Sequence, residues 1–130
     1  GFSKEFTVNV VRPGKSGADE IKAMMTRFRE NPPSELGGSK VVLWKDYQTL
    51  EQKAADGTVT KLDMPATSNV LQWFCDDNTK VSVRPSGTEP KIKFYLEVKG
   101  TMKCAGCYTR CNAEATEKIA AIEKGLGIAD

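Results

Sequence analysis

The sequence predicts an α+β fold in the order β-α-β-β-β-β-α, a mainly antiparallel sheet with two helices on one face. Three observations lead there. Apolar and polar residues alternate over residues 6–11, 80–84 and 91–99, the period of a strand with one buried face. Two other stretches, beginning near Ser16 and near Asn112, carry apolar residues at helical spacing. Short polar turns join the later strands, which makes neighbours antiparallel and leaves the helices to cover one side.

Taken in order, Phe6, Val8 and Val10 alternate with Thr7 and Asn9, Val11 extends the run, and Pro13-Gly14 ends it. Ser16 offers a hydroxyl to the orphan amides of a helix start, a capping-box-like arrangement completed by Asp19. Ile21, Met24, Met25 and Phe28 then fall on one helical face, which we assign to packing. Asn31-Pro32-Pro33 stops the helix, and residues 34–39 read as a loop. Lys40 to Tyr47 reads as a strand with Val42 and Trp44 facing one way. Residues 48–68 read as polar and irregular, apart from a turn at Asp56-Gly57 and a short strand over Val59 to Leu62. Asn69 to Cys75 is a strand with Trp73 and Cys75 on one face and Gln72 and Phe74 on the other. Asp76-Asp77-Asn78 turns it back into the strand that ends at Arg84. A last helix starts at Asn112, with Ala115, Ile119, Ile122 and Leu126 facing inward and Gly125 and Gly127 as its stop.

The chain of 130 residues, 39% apolar and 28% charged, reads as one domain, residues 1–130, with a single core. A net charge of +2 argues against a general nucleic-acid binder. There is no histidine, so a His-based triad or His-ligated metal is excluded. No apolar run approaches the ~20 residues of a membrane span, and no signal peptide is visible, so a cytoplasmic location and no membrane partner are expected. Gly1 in place of Met reads as a tag remnant on a piece of a longer protein.

The chemistry concentrates between Val83 and Tyr95. Arg84 supplies a planar fork of donors, Ser86 and Thr88 supply hydroxyls, and Gly87 lets a ligand approach the main chain. Pro85 and Pro90 stiffen the two ends of the loop, and the amides of residues 86–88 are expected to converge. Such a set suits an oxyanion such as phosphate. Lys93 lies on the same strand face, with Lys91 and Tyr95 as weaker candidates, while Glu89 is assigned to holding the loop or a neighbouring lysine. The plainer reading is a hairpin with a polar tip. Two further readings stay open. Cys104, Cys107 and Cys111 form C-x2-C-x3-C, either a soft-metal site with Cys75 as fourth ligand or a set of ordinary thiols. Tyr95 between Lys93 and Lys99 hints at an RNA-binding sheet surface.

The run R-P-S-G-T-E-P-K-I-K-F-Y, residues 84–95, closely resembles the phosphate-binding loop in the last domain of the α-D-phosphohexomutases, the phosphoglucomutase and phosphomannomutase enzymes. Its K-I-K-F-Y continuation is most similar to the phosphoglucomutase/phosphopentomutase branch, and the order of elements from Phe6 to about Gly100 is also similar to that domain. The resemblance implies a fold like that of the TATA-box-binding protein, without implying DNA binding. It implies that Arg84, Ser86, Gly87, Thr88 and Lys93 grip the phosphate of a sugar-phosphate substrate. It further implies a Mg2+-dependent parent that interconverts hexose 1-phosphate and 6-phosphate through a phosphoserine and a bisphosphate intermediate. The serine loop (T-A-S-H-N-P-like), the metal loop (D-G-D-x-D-R-like) and the sugar loop (G-E-x-S-G-like) of such enzymes do not occur in this sequence. The stretch alone is therefore expected to be non-catalytic, with Mg2+ bound outside it and the other domains of the same chain as its partners.

Overall fold

In the computed structural model, which describes residues 1–129, the alternation read from the sequence becomes the spine of the molecule. The elements in chain order are β1 (Phe2–Val11), α1 (Gly17–Glu30), β2 (Glu35–Leu36), β3 (Ser39–Asp46), β4 (Glu51–Ala54), β5 (Val59–Lys61), β6 (Leu71–Cys75), β7 (Lys80–Pro85), β8 (Lys91–Gly100) and α2 (Tyr108–Leu126). The sheet runs β1-β8-β7-β6-β3-β4-β5, every pair antiparallel, with β2 added beside β3. One face is buried. Val81, Val83, Ile92 and Phe94 are wholly inaccessible, and Leu71, Trp73, Cys75, Leu96 and Val98 extend the same layer. Over it lie Ile21, Met24 and Met25 of α1 and Ala115, Ile119 and Ile122 of α2. Phe28 sets its ring edge-on against Trp73 at 5.3 Å and Phe94 at 5.9 Å, the offset geometry that aromatic quadrupoles favour. The expected α+β class, antiparallel sheet and two helices on one face are all present.

The elements differ from the sequence reading where polar residues form strands. β1 begins at Phe2, four residues earlier than its alternation showed, because Ser3, Lys4 and Glu5 pair along β8 without an apolar face of their own. β4 was read as irregular chain; it is Glu-Gln-Lys-Ala, and ladder bonds to β3 and β5 rather than burial hold it. Residues 35–36, read as loop, form the two-residue β2. A register shift between Val41 and Leu43 places Val41 opposite Cys75 and Trp44 opposite Trp73. Val41 and Trp44, three residues apart, therefore share the core side, and the expected pairing of Val42 with Trp44 on one face fails at this bulge.

The helix ends are also revised. Ser16 occupies the N-cap of α1, but its side chain makes no capping bond. α2 starts at Tyr108 with Cys107 as N-cap, one turn before Asn112, whose side-chain oxygen instead accepts from Lys4 Nζ at 2.8 Å. Gly125 lies inside the helix, and Gly127, at φ 73°, ends it as the αL residue whose conformation lets Ile128 N–H reach the Glu123 carbonyl at 2.9 Å.

Two joints fix the helices to the sheet. At one, the turn from β1 into α1 backs onto the loop between β7 and β8: Arg12 N–H donates to the Pro90 carbonyl at 2.9 Å. Gly17 is packed so tightly there that a Cβ would lie 1.8 Å from the Arg12 carbonyl oxygen and 3.0 Å from Pro90 Cβ. At the other, Asp77 in the β6–β7 turn accepts from Lys118 Nζ of α2 at 2.7 Å and from Ser39 Oγ at 2.6 Å, and its other oxygen accepts from Thr79 N–H at 3.0 Å. Burial alone would raise the Asp77 carboxyl, but the Lys118 and Ser39 hydrogen bonds outweigh it and hold the group well below the usual carboxylate range.

Two predictions follow from these joints. Gly17→Ala forces the Arg12 carbonyl to move and should cost about 2 kcal/mol, read as a lower urea midpoint at unchanged slope. Because Asp77 is held ionised, its contribution is full above the ordinary carboxylate range near pH ~4 and is lost as pH falls through its lowered value. Acid unfolding curves of Asp77→Asn should be flatter than those of the wild type below that range.

Candidate anion site

The loop between β7 and β8 is built by closing a hairpin around two prolines. Ser86 N–H donates to the Lys91 carbonyl at 2.8 Å, and Lys91 N–H donates to the Glu89 carbonyl at 2.8 Å. Ser86 Oγ then accepts twice, from Thr88 N–H at 3.3 Å and from Glu89 N–H at 3.2 Å. A serine hydroxyl has two lone pairs and one proton. With both lone pairs occupied by amides, its remaining capacity is to donate.

Cross-strand pairing supplies the charges. Arg84 of β7 lies opposite Lys93 of β8, and Ser82 lies opposite Tyr95. Since Val83, Ile92 and Phe94 point into the core, Arg84, Lys93 and Tyr95 must project from the uncovered face. Together with Ser86, Gly87 and Lys91 they line a hollow of about 220 Å³, wide enough for a small oxyanion. Among the described residues neither Arg84 nor Lys93 has an ion-pair partner, whereas Lys91 Nζ stands 3.5 Å from Glu89. That last contact is the one expected of Glu89.

The structure thus gathers Arg84, Ser86, Gly87 and Lys93 in one hollow and adds Lys91 and Tyr95, the weaker candidates. It leaves Thr88 outside the lining, at the exposed tip, where its amide orients Ser86. The expected convergence of three amides is corrected to one. The Ser86 amide is consumed by Lys91 and the Thr88 amide by Ser86 Oγ, so of these three only the Gly87 N–H is without an acceptor. Spacing could not reveal this, because it depends on how tightly the hairpin closes.

Sequence reasoning missed the polar network beside the hollow. Tyr47 donates to Gln72 Oε1 at 2.7 Å, Gln72 Nε2 donates to Ser82 Oγ at 3.1 Å, and Lys45 and Lys80 stand 5.1 and 5.4 Å from the Phe74 ring. Phe74 therefore already has two cations near its ring, and Tyr95 is the exposed aromatic on this face for the RNA-binding reading. A larger hollow, about 410 Å³, lies on the helical side between α1 and β3–β5. Its arginine is spent: Arg29 bonds Asp46 at 3.0 Å and Asn69 at 2.6 Å. The smaller hollow therefore has the better claim to an anion.

The thiol cluster does not form a metal cage. Cys104 and Cys107 are joined in a disulfide, which removes two of the three proposed ligands. Cys75 is buried in the core, where desolvation and the nearby Asp77 charge push its thiol up to about 11. Among the described residues no group of three or more His, Cys, Asp or Glu is placed to hold a metal ion, so the donor set does not fit Mg2+ either.

The chain is similar to known proteins over most of its length. Residues 8–106 match the family described as phosphoglucomutase/phosphomannomutase, C-terminal domain. The phosphoglucomutase of Staphylococcus aureus strain MRSA252 is 44% identical over 87 residues, covering 66% of this chain and 15% of that protein. That of strain bovine RF122 / ET3-1 is 43% identical over 86 residues, with the same shares covered. The chain thus spans about 15% of the length of the curated relatives it matches. Because the matched span includes β2 through β8 and the whole loop that lines the hollow, the chain belongs to the phosphoglucomutase/phosphomannomutase C-terminal domain family.

Proposed function

We propose that this domain holds the non-reacting phosphate of a sugar monophosphate within a longer mutase that interconverts hexose 1-phosphate and 6-phosphate. The observation that carries the reading is the pairing of two uncommitted cations, Arg84 and Lys93, above a serine whose only remaining hydrogen-bonding capacity is to donate. Arg84 grips two phosphate oxygens with its planar fork, Ser86 O–H and Gly87 N–H donate to them, and Lys93 adds a point charge. Thr88 acts through the Ser86 hydroxyl it orients.

Gripping the end of the sugar that does not react turns remote binding into orientation of the end that does. The same grip must release, since a bisphosphate intermediate has to present its other phosphate to the phosphoserine. Four donors at the rim of an open hollow allow that, and closure of a mobile domain supplies the rest. Where the longer chain holds Mg2+, the ion would supply charge neutralisation for phosphoryl transfer. Its ligands and the nucleophilic serine lie outside these 130 residues, because neither motif occurs in the sequence. No helix here is long and apolar enough to cross a membrane, and a substrate carrying a phosphate dianion suits a cytoplasmic enzyme.

Titrating inorganic phosphate or glucose 6-phosphate into labelled protein should shift the amide resonance of Gly87 first, with Ser86 following. A titration that moves neither signal would reject the site. A hydrogen bond to a charged group contributes roughly 1.5–3 kcal/mol, so Arg84→Ala should weaken phosphate binding roughly tenfold to a hundredfold with the fold intact. In a full-length mutase carrying this domain, the same substitution should lower kcat/KM by a similar factor.

A further inference from the structure

The disulfide lies at the far end of β8 from the anion site, in the connection from Gly100 to Tyr108. We propose that Cys104 and Cys107 are a reversible thiol–disulfide exchange site that takes electrons from low-molecular-weight thiols of the glutathione class and returns them to the corresponding disulfides. The inference does not depend on the phosphate reading.

Four features carry it. The bond spans only three positions in sequence, with Cα atoms 5.3 Å apart, so opening it frees a very small loop. A bridge of that span constrains the unfolded chain little, which makes it a poor structural staple. The same four residues already form a turn by the Cys107 N–H to Cys104 carbonyl bond at 3.2 Å, so the sulfurs stay close when the bond is open. Residues 101–106 are all exposed, and Cys107 is half-buried, so an incoming thiolate meets Cys104 Sγ first. Cys107 is the N-cap residue of a 19-residue helix with no acidic residue in its first turn, and Lys103 and Arg110 flank the pair. A thiolate leaving from Cys107 is therefore born at the positive end of the helix dipole, among cations, which favours its departure.

The chemistry balances as two exchanges. The thiolate of one glutathione attacks Cys104 Sγ, the Cys104–Cys107 bond breaks, and Cys107 leaves as a thiolate. A second glutathione thiolate attacks the glutathione sulfur of the mixed disulfide and expels the Cys104 thiolate. Two electrons pass to the protein, and the reductant leaves as glutathione disulfide. Oxidation runs the same steps backwards. Cys111, one helical turn beyond Cys107 and half-buried, is not needed for either step.

The test is a redox titration of the intact folded chain in buffers of varied glutathione and glutathione-disulfide ratio, extended to stronger reduction with dithiothreitol. Free thiols are trapped with a maleimide mass tag and located by peptide mass. We expect Cys104 and Cys107 to gain tags together in one two-electron transition, and to lose them again when glutathione disulfide is added. Cys75 stays untagged throughout. Cys111→Ser should leave the transition in place, and Cys107→Ser should take up one glutathione at Cys104. A pair that stays closed in excess dithiothreitol, or that does not re-close in glutathione disulfide, overturns the proposal. So does a Cys107→Ser protein, folded by circular dichroism, whose Cys104 remains a free thiol. The wild-type titration decides the matter even if that variant fails to fold.

Discussion

Burial of one face of β8 is the constraint that decides where everything else points. Ile92, Phe94, Leu96 and Val98 are driven inward under both helices, and the period of two then leaves Lys91, Lys93 and Tyr95 no choice of direction. β7 obeys the same rule through Val81 and Val83, which fixes Arg84 across from Lys93. A one-residue slip between these strands would bury the arginine and expose the core. The proposed anion site is thus positioned by hydrophobic residues that do not line it, and the apolar and ionic parts of the hairpin cannot vary independently.

The site owes its character to how few of its polar groups remain uncommitted. The hairpin spends the Ser86 amide on Lys91 and two further amides on Ser86 Oγ. These bonds make the loop rigid before any ligand arrives, so little ordering entropy is lost on binding. What is left uncommitted is the Ser86 O–H, the Gly87 amide and two cations, beside Lys91 and the Tyr95 hydroxyl, a set rich in donors. A donor-rich surface of this kind suits the proposed ligand, an acceptor with several oxygens. The backing from Arg12 and the close-packed Gly17 extends the same rigidity to Pro90, so the helical layer supports the loop from behind.

Much of this was legible in the residue order. The strands with clean alternation, the core stripe of α1 and the cluster from Arg84 to Tyr95 could be placed because burial has a period. The polar strands β4 and the start of β1 could not, since Glu51-Gln52-Lys53 and Ser3-Lys4-Glu5 are held by neighbours that the local sequence does not name. The bulge at Val42 was hidden for a related reason: an extra residue changes face without changing composition. The start of α2 was misplaced because Asn112 is a good cap by type, while the turn around Cys104 and Cys107 begins the helix earlier. In the candidate site, residue types pointed to an oxyanion as an expectation, while which amides were already taken could be read only from the closed hairpin.

The pairing of β1 with β8 joins the first strand of the chain to the last. Within this domain β1 is made before the other strands and has no β8 to pair with until nearly all of the sheet has been made. The helix α1 that follows it also lacks its floor, because Phe94 and Trp73 arrive late. Non-local closure of this kind slows folding and leaves an unpaired strand waiting in the nascent chain. The charges of Lys4 and Glu5 on that strand then serve a second purpose, keeping it from joining with a neighbouring copy before its own mate appears.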